Sequence, residues 1–321
     1  MVGATRALER PAVARPAWWR RRRTRRALTF YAFVSPWLVG FIALGAIPLV
    51  LALAMSFTNY DGLNLDYIRV VGLDNYARVA GDRDALLSLQ RTLVFVGATV
   101  ALGLVVQLGT ALLLDGPVRG RGLFRTLFYL PYVVPVVAGA WVWKIFTDPN
   151  GGLLNAIVNV VDPGFAMNWI VEQPTTVLVL FTVWALTGGG MVVFLAGLQG
   201  IPSELKEAAQ IDGAGSLAVL RHITLPLLTP VILFQVVVSM IWSLQIIQQP
   251  LLLAPGILRG PGTLPPQDNY LYIVHAYHEI FVQQRFGYGA ALLWLLFLVT
   301  LGLTLVIVRS SRRWVHYEEA Q

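Results

Sequence analysis

The sequence predicts an all-α, polytopic membrane protein with six transmembrane helices, and three observations predict it. Hydrophobic residues make up 56% of the 321 and charged residues only 13%, about half the share usual in soluble domains. Six apolar runs clear or approach the ~20 residues that a spanning helix needs. No stretch alternates apolar and polar residues at period two, which sets a β-barrel aside. The length alone would allow two soluble domains, but a mean hydropathy of +0.66 places the chain in lipid.

The elements follow in chain order. Residues 1–27 form an Arg-rich tail, 28–311 the transmembrane domain and 312–321 a second tail. Spans are expected at about 30–57, 92–114, 127–146, 175–198, 227–247 and 290–308. With no water to satisfy bare amides, each run reads as a helix. The third is interrupted only near its end, by Lys144, whose ammonium can snorkel to the interface. The fourth contains Thr187–Gly190, "TGGG". Glycine there permits close helix packing, the default reading, or a local break.

Basic residues set the expected orientation. Nine Arg lie in the first tail, including Arg20–Arg23, Arg25 and Arg26. Arg119, Arg121 and Arg125 follow in the loop after span two, Lys206 and Arg221 after span four, and Arg309, Arg312 and Arg313 at the end. These seventeen oppose six on the other side: Arg69, Arg78, Arg83, Arg91, Arg259 and Arg285. Both termini are therefore expected in the cytoplasm of a multi-pass plasma-membrane protein in contact with lipid. The Arg run reads as a topology signal; without an interleaved aromatic platform it is not read as binding nucleic acid. The first apolar run is too long for a cleaved signal peptide, and no small-residue cleavage site follows it.

Catalytic signals are absent from the sequence. There is no cysteine, hence no disulfide, thiolate metal site or cysteine nucleophile. Neither lysine, Lys144 nor Lys206, sits in a G-x-x-x-x-G-K-[ST] loop, so the chain has no phosphate cradle of that kind. "HAYHE" puts His275, His278 and Glu279 on one helical face that could bind a metal. Its spacing matches no zinc signature, and a polar face on an extracytoplasmic segment is the default. No Ser/His/Asp arrangement rises above chance. The expectation is a non-enzyme with no catalytic residue, no metal site and no cofactor of its own.

The segment Glu207–Pro226, "EAAQIDGAGSLAVLRHITLP", lies between two spans. It belongs to a loop of about 199–226, longer than the ~2–8 residues of ordinary helix connections. A short helix is expected from Ser203 to about Ile211, with Ser203 as N-cap and Glu204 in the favourable first turn. Ala208 and Ala209 leave its surface thin enough to enter a groove on another protein, Asp212-Gly213 ends it, and a second helical stretch leads back to Pro226.

These residues resemble the EAA loop of bacterial ATP-binding-cassette (ABC) importer permeases: Glu207, Ala208, Ala209, Gly213, Ile223, Leu225 and Pro226 fill its pattern. With Asp212–Ala214 and Pro230 the fuller form looks like the carbohydrate-uptake branch, of maltose and glycerol-3-phosphate type. "VVGLDNYARV", "GRGLFRTLFYLPYVVP", "GGLLN" and "FGYGAAL" resemble further segments of that branch, so the likeness covers about residues 30–310. Departures are Arg91 in place of Asn, Leu220 in place of an aromatic, and "LLLAPGILRGPG" in the loop 250–266 in place of T-G-G-G-P.

The resemblance implies the type I importer permease fold and one half of a heterodimeric pore in a binding-protein-dependent system. A second homologous permease and two ATPase subunits, which carry the ATP and Mg, would complete it, with an extracytoplasmic solute-binding protein delivering a sugar-type solute. The ATPases would grip the EAA loop, with Glu204, Glu207, Ala208, Ala209, Asp212, Gly213, Ile223, Leu225 and Pro226 as coupling residues. For the solute path, Gln235, Ser239, Trp242, Gln245 and Gln249 fall at helical spacing along span five, with Trp184 and Thr187 in span four. Amides hydrogen-bond hydroxyls and an indole stacks on sugar rings, whereas glue between helices is the alternative for any single residue. A permease for a non-sugar solute is the alternative function. A self-sufficient secondary transporter is disfavoured because no acid lies inside any span.

Overall fold

The computed structural model describes residues 18–64, 66–256 and 263–316. The outer part of the Arg-rich tail, the middle of the 250–266 loop and residues 317–321 lie outside them. Among the described residues the only β-type pairing is an isolated bridge between Thr58 and Val70. The chain divides into two units, Met1–Ala54 and Met55–Gln321.

In the first unit, α1 (Trp18–Phe41) begins among the arginines and passes through a π-helical turn, Ile42–Ala46, into α2 (Ile47–Ser56). The turn closes through the Ile47 N–H on the Ile42 carbonyl, immediately before Pro48. The same device recurs at Leu220–Thr224, before Pro226. A proline lacks an N–H and crowds the carbonyl of the preceding turn. Widening that turn by one residue lets the helix continue.

The second unit opens with α3 (Asp74–Gly81) and α4 (Arg83–Asp115). Next come α5 (Arg121–Val133), α6 (Val136–Phe146), α7 (Leu153–Asn159), α8 (Trp169–Glu172) and α9 (Pro174–Gln199). α10 (Ser203–Ile211) precedes α11 (Ser216–Val219), which runs through the π turn into α12 (Leu225–Leu244). The last are α13 (Gln248–Leu253), α14 (Tyr272–Phe281) and α15 (Phe286–Ser311). Among the described residues, five helical stretches are long and apolar enough to cross a membrane: Thr24–Ser56, Arg83–Asp115, Pro174–Gln199, Ser216–Leu244 and Phe286–Ser311.

The third expected span is not one straight helix. α5 and α6 meet at 103°, because Pro131 and Pro135 bracket the join: Val134 (ψ 131°) and Pro135 (ψ 135°) leave the helical region. The residue before a proline is pushed out of the α region.

Apolar burial adds no drive between helices that already sit among lipid tails, so contact rests on close approach. One buried cluster joins Phe95, Phe181, Leu178, Leu244 and Leu292 across α4, α9, α12 and α15. A second joins Ala111, Met191, Phe194 and Leu228 across α4, α9 and α12. The consecutive glycines Gly188–Gly190 of α9 explain the proximity. A Cβ on Gly188 would stand 2.7 Å from the Tyr129 Cα and 2.8 Å from the Phe128 carbonyl, and one on Gly189 would stand 2.8 Å from the Tyr132 ring. α9 is helical throughout; Gly188 and Gly189 serve packing against α5, while Gly190 meets Gln107 of α4 and Gly197 meets Val231 of α12.

Several quoted motifs prove to be clasps at or beyond the ends of the spans. The Asn75 amide donates to the Ser56 and Thr58 carbonyls, both at 2.8 Å. Asn155 donates to the Met167 carbonyl at 3.0 Å and accepts from the Trp169 indole at 2.7 Å. A Cβ on Gly287 would stand 2.1 Å from the Thr58 carbonyl. Asp82 caps α4, accepting from the Asp84 and Ala85 N–H groups, and its other oxygen accepts from the Tyr288 hydroxyl at 2.5 Å.

Candidate functional site

Two places gather the expected residues. The first is the projection between α9 and α12. α10 starts at Ser203, but its cap is Pro202, whose φ of −56° and ψ of 130° set the chain into the helix. This corrects Ser203 as N-cap: it is already the first helical residue, and no side chain caps the end. At the other end Gly213 has φ +87°. The Gly213 N–H reaches the Gln210 carbonyl at 3.0 Å and the Ala214 N–H the Ala209 carbonyl at 2.9 Å. This pair of bonds around a left-handed residue is a Schellman stop.

Glu204, Glu207, Ala208, Asp212 and Gly213 are exposed, and Ala209 is half-buried. Ile223 lies in the π turn, and Leu225 and Pro226 open α12, all three half-buried against the bundle. Sequence reading passed over Ile211 and Leu217, whose side chains are 86% and 77% exposed beside the stop; apolar residues flanking D-G-A were the available signal. Lys206 joins α10 to α4 through Asp115 at 3.8 Å, and Asp115 also meets Arg121 of α5 at 3.9 Å. The His316 N–H reaches Thr229 of α12 at 2.9 Å. The α4–α5 loop, the α10 projection and the end of α15 therefore share one end of the second unit.

The second place is a cavity of about 570 Å3 bounded by α4, α5, α6, α9, α12 and α13. Gln235, Ser239, Trp242 and Gln249 line it, together with Trp184. Gln245 does not. α12 ends at Leu244, and Gln245 (φ −108°, ψ 7°) has left the helix, so the helical spacing that grouped it with Gln235 no longer applies. Gln248 takes a place in the wall instead. Thr187 is also absent from this wall. It is buried, bonds the Val183 carbonyl at 2.6 Å and borders a separate apolar cavity of about 660 Å3. A hydroxyl in a helix satisfies itself on the preceding turn when nothing better lies near.

Gln107 of α4 is the wall residue that sequence reading missed. It is buried, accepts from Gln235 Nε2 at 3.0 Å and donates to the Leu186 carbonyl at 3.4 Å. Its lone position in an apolar run gave no periodicity to detect. The signal available was the cost of an amide in lipid. Behind it, Trp143, Phe181 and Trp184 pack ring on ring with centroids 5.8–6.1 Å apart.

The polar groups of the His275–Glu279 face turn to neighbouring side chains. His275 Nδ1 lies 3.1 Å from the Tyr270 hydroxyl and its Nε2 3.5 Å from Asp82, while Glu279 pairs with Arg285 at 3.1 Å. Among the described residues no group of three His, Cys, Asp or Glu is placed to hold a metal. Burial pushes the His275 imidazole below its ordinary pKa, against the pull of Asp82. Burial raises the Asp82 carboxyl, but the hydrogen bonds from Tyr288 and the Ala85 N–H, with His275 beside it, hold it below the usual value.

Residues 100–315 match the family described as binding-protein-dependent transport system inner membrane component. The probable ABC transporter permease protein YesP of Bacillus subtilis is 35% identical over 300 residues, 92% of this chain and 94% of that one. The sn-glycerol-3-phosphate transport system permease protein UgpA of Yersinia pestis is 32% identical over 250 residues, 77% and 82% of the two chains. A chain of the bacterial alginate ABC transporter, crystallised in complex with alginate pentasaccharide-bound periplasmic protein, superposes with TM-score 0.77 at 21% identity, covering 93% of this chain and 98% of that one. At that identity the likeness concerns the fold.

Proposed function

The chain belongs to the binding-protein-dependent transport system inner membrane components, and from that premise we propose that it forms half of the solute pathway of a bacterial ABC importer for a sugar or sugar-derived solute, driven through α10 by a separate ATPase. The α10 projection carries the reading. It is a helix of nine residues, roughly 13 Å long, stopped at Gly213 and presenting Glu204, Glu207, Ala208 and Ile211 outward, with Leu217 of α11 exposed beside it. Large apolar side chains beside acids on a stiff projection suit a groove on a protein partner. The Lys206–Asp115–Arg121 link ties that projection to the ends of α4 and α5.

Two ATPase subunits supply the ATP and Mg chemistry, a second homologous permease completes the pore, and an extracytoplasmic binding protein delivers solute. Closure of the ATPases shifts the pore between inward- and outward-facing states, a coupling set by differential affinity for the two. The chain sits in the plasma membrane with both termini in the cytoplasm. That orientation is supported by the basic residues and by the α4–α5 loop, α10 and the end of α15 sharing one end. The relatives' solutes and a wall of amides and indoles support a polyhydroxylated solute.

The test uses Glu207→Lys, Ala208→Trp and Gly213→Val in the complete importer, at parental membrane levels. Removing a desolvated charged contact costs about 1–3 kcal/mol, so co-purification with the ATPase and solute uptake should both fall about tenfold or more. Retention of both would reduce the projection to a connector and sink the reading.

A further inference from the structure

The amides of Gln107 and Gln235 form a directed chain whose sense is fixed at one end. The Leu186 carbonyl can only accept, so Gln107 turns Nε2 toward it, at 3.4 Å, and Oε1 toward Gln235. That Oε1 can only accept in turn, so Gln235 turns Nε2 to it at 3.0 Å, with Ser239 Oγ at 3.5 Å from the same nitrogen. Every donor of the Gln235 amide is thereby directed to protein. Its Oε1 has no hydrogen-bond partner among the described residues, and Gln235 lines the 570 Å3 cavity. An amide oxygen in such a place accepts and cannot donate.

Gly190 makes the chain possible. It lies one helical turn beyond Leu186, and a Cβ there would stand 2.2 Å from both Cδ and Oε1 of Gln107. Any side chain at that position expels the Gln107 amide from the Leu186 carbonyl.

We propose that Gln107 is a positioning residue that aims the Gln235 carbonyl oxygen into the cavity, and that the wall so formed selects solutes that donate a hydroxyl proton there. This rests on the cavity being the solute path proposed above. Gln107 acts through Gln235, and Gly190 acts through Gln107. Without Gln107 the Gln235 amide is free to rotate, and the wall no longer has one polarity.

Two measurements test this. In the purified full chain, Gly190→Ala should lower the melting temperature, and Gln107→Ala added to it should raise it again by removing the atoms in conflict. A Gly190→Ala chain that melts with the parent, or a double variant that melts lower still, would overturn the amide chain whatever the solute. In cells with the complete importer, uptake of radiolabelled maltose, trehalose and glycerol-3-phosphate is compared for the parent, Gln107→Ala, Gln235→Ala and the double variant. Loss of one aimed acceptor predicts about a tenfold rise in KM for Gln107→Ala with Vmax within about twofold. The double variant should be no worse than Gln235→Ala, because both changes remove one interaction. Additive losses, or a fall in Vmax alone, would make Gln107 a packing residue and refute the proposal. If the parent takes up none of the probes, the solute class proposed above is what fails, and the melting experiment decides the amide chain by itself.

Discussion

Gly188→Ala adds a single methyl group where α9 meets the main chain of α5. The new Cβ would meet the Tyr129 Cα at 2.7 Å and the Phe128 carbonyl at 2.8 Å. Both are main-chain atoms of α5, so no rotamer change can relieve the contact. α5 and α9 must separate, and overpacking of this kind costs about 1–3 kcal/mol. Against it stands the gain of about 1 kcal/mol that alanine brings to a helix interior in place of glycine. Gly302 of α15 isolates that second term, because nothing lies within 4 Å of a Cβ placed there. The expectation is therefore that Gly302→Ala stabilises slightly while Gly188→Ala is neutral to destabilising, with about 1–3 kcal/mol between them, since the helix gain is common to both. Tryptophan fluorescence on heating the purified chain in detergent reads both, since Trp143 and Trp184 pack beside this crossing. A Gly188→Ala chain that melts as high as the Gly302→Ala chain would refute the argument that backbone proximity holds the bent α5–α6 pair against α9.

Gly213 calls for a different kind of cost: a Cβ meets nothing within 4 Å, but φ is +87°. Gly213→Ala should then cost about 1 kcal/mol through backbone strain alone and Gly213→Val more, read as earlier cleavage of the 203–219 segment by protease. Acid should destabilise the α14 end. His275 and Asp82 both have folded pKa values below their ordinary ones, so the stability they contribute is present above those ordinary values and is lost as pH falls past them. His275 sets the first step, below about 6.5, and His275→Gln should flatten the fall in melting temperature between pH 7.5 and about 5. A variant as acid-sensitive as the parent would remove His275 from that account. The chain has no native cysteine, so single cysteines at Asn75 and Gln267 should label from outside the cell, and one at Ser216 only after permeabilisation. The reverse pattern would invert the proposed orientation.

The long apolar runs fixed helix as the only way to satisfy backbone amides in lipid, so α4, α9, α12 and α15 were legible from composition. The projection was legible too, since its turn depends on a local glycine, Gly213, and on bonds within five residues. What lay beyond reach depended on partners distant in sequence. Gln107 and Gln235 are 128 residues apart, and no periodicity records that their amides meet. The third run reads as one apolar stretch, yet its path bends by 103°, because two prolines six residues or fewer from the join act on direction and leave hydropathy unchanged. Gln245 kept the spacing of a helix that had already ended at Leu244, and Thr187 had a carbonyl of its own turn to satisfy it. Sequence by itself determined which segments must be helical and which one projects, because those are properties of local chemistry against its solvent. Tertiary structure alone decided which polar groups share a wall and which way an amide points, because each depends on the unique acceptor that close packing brings within 3.5 Å.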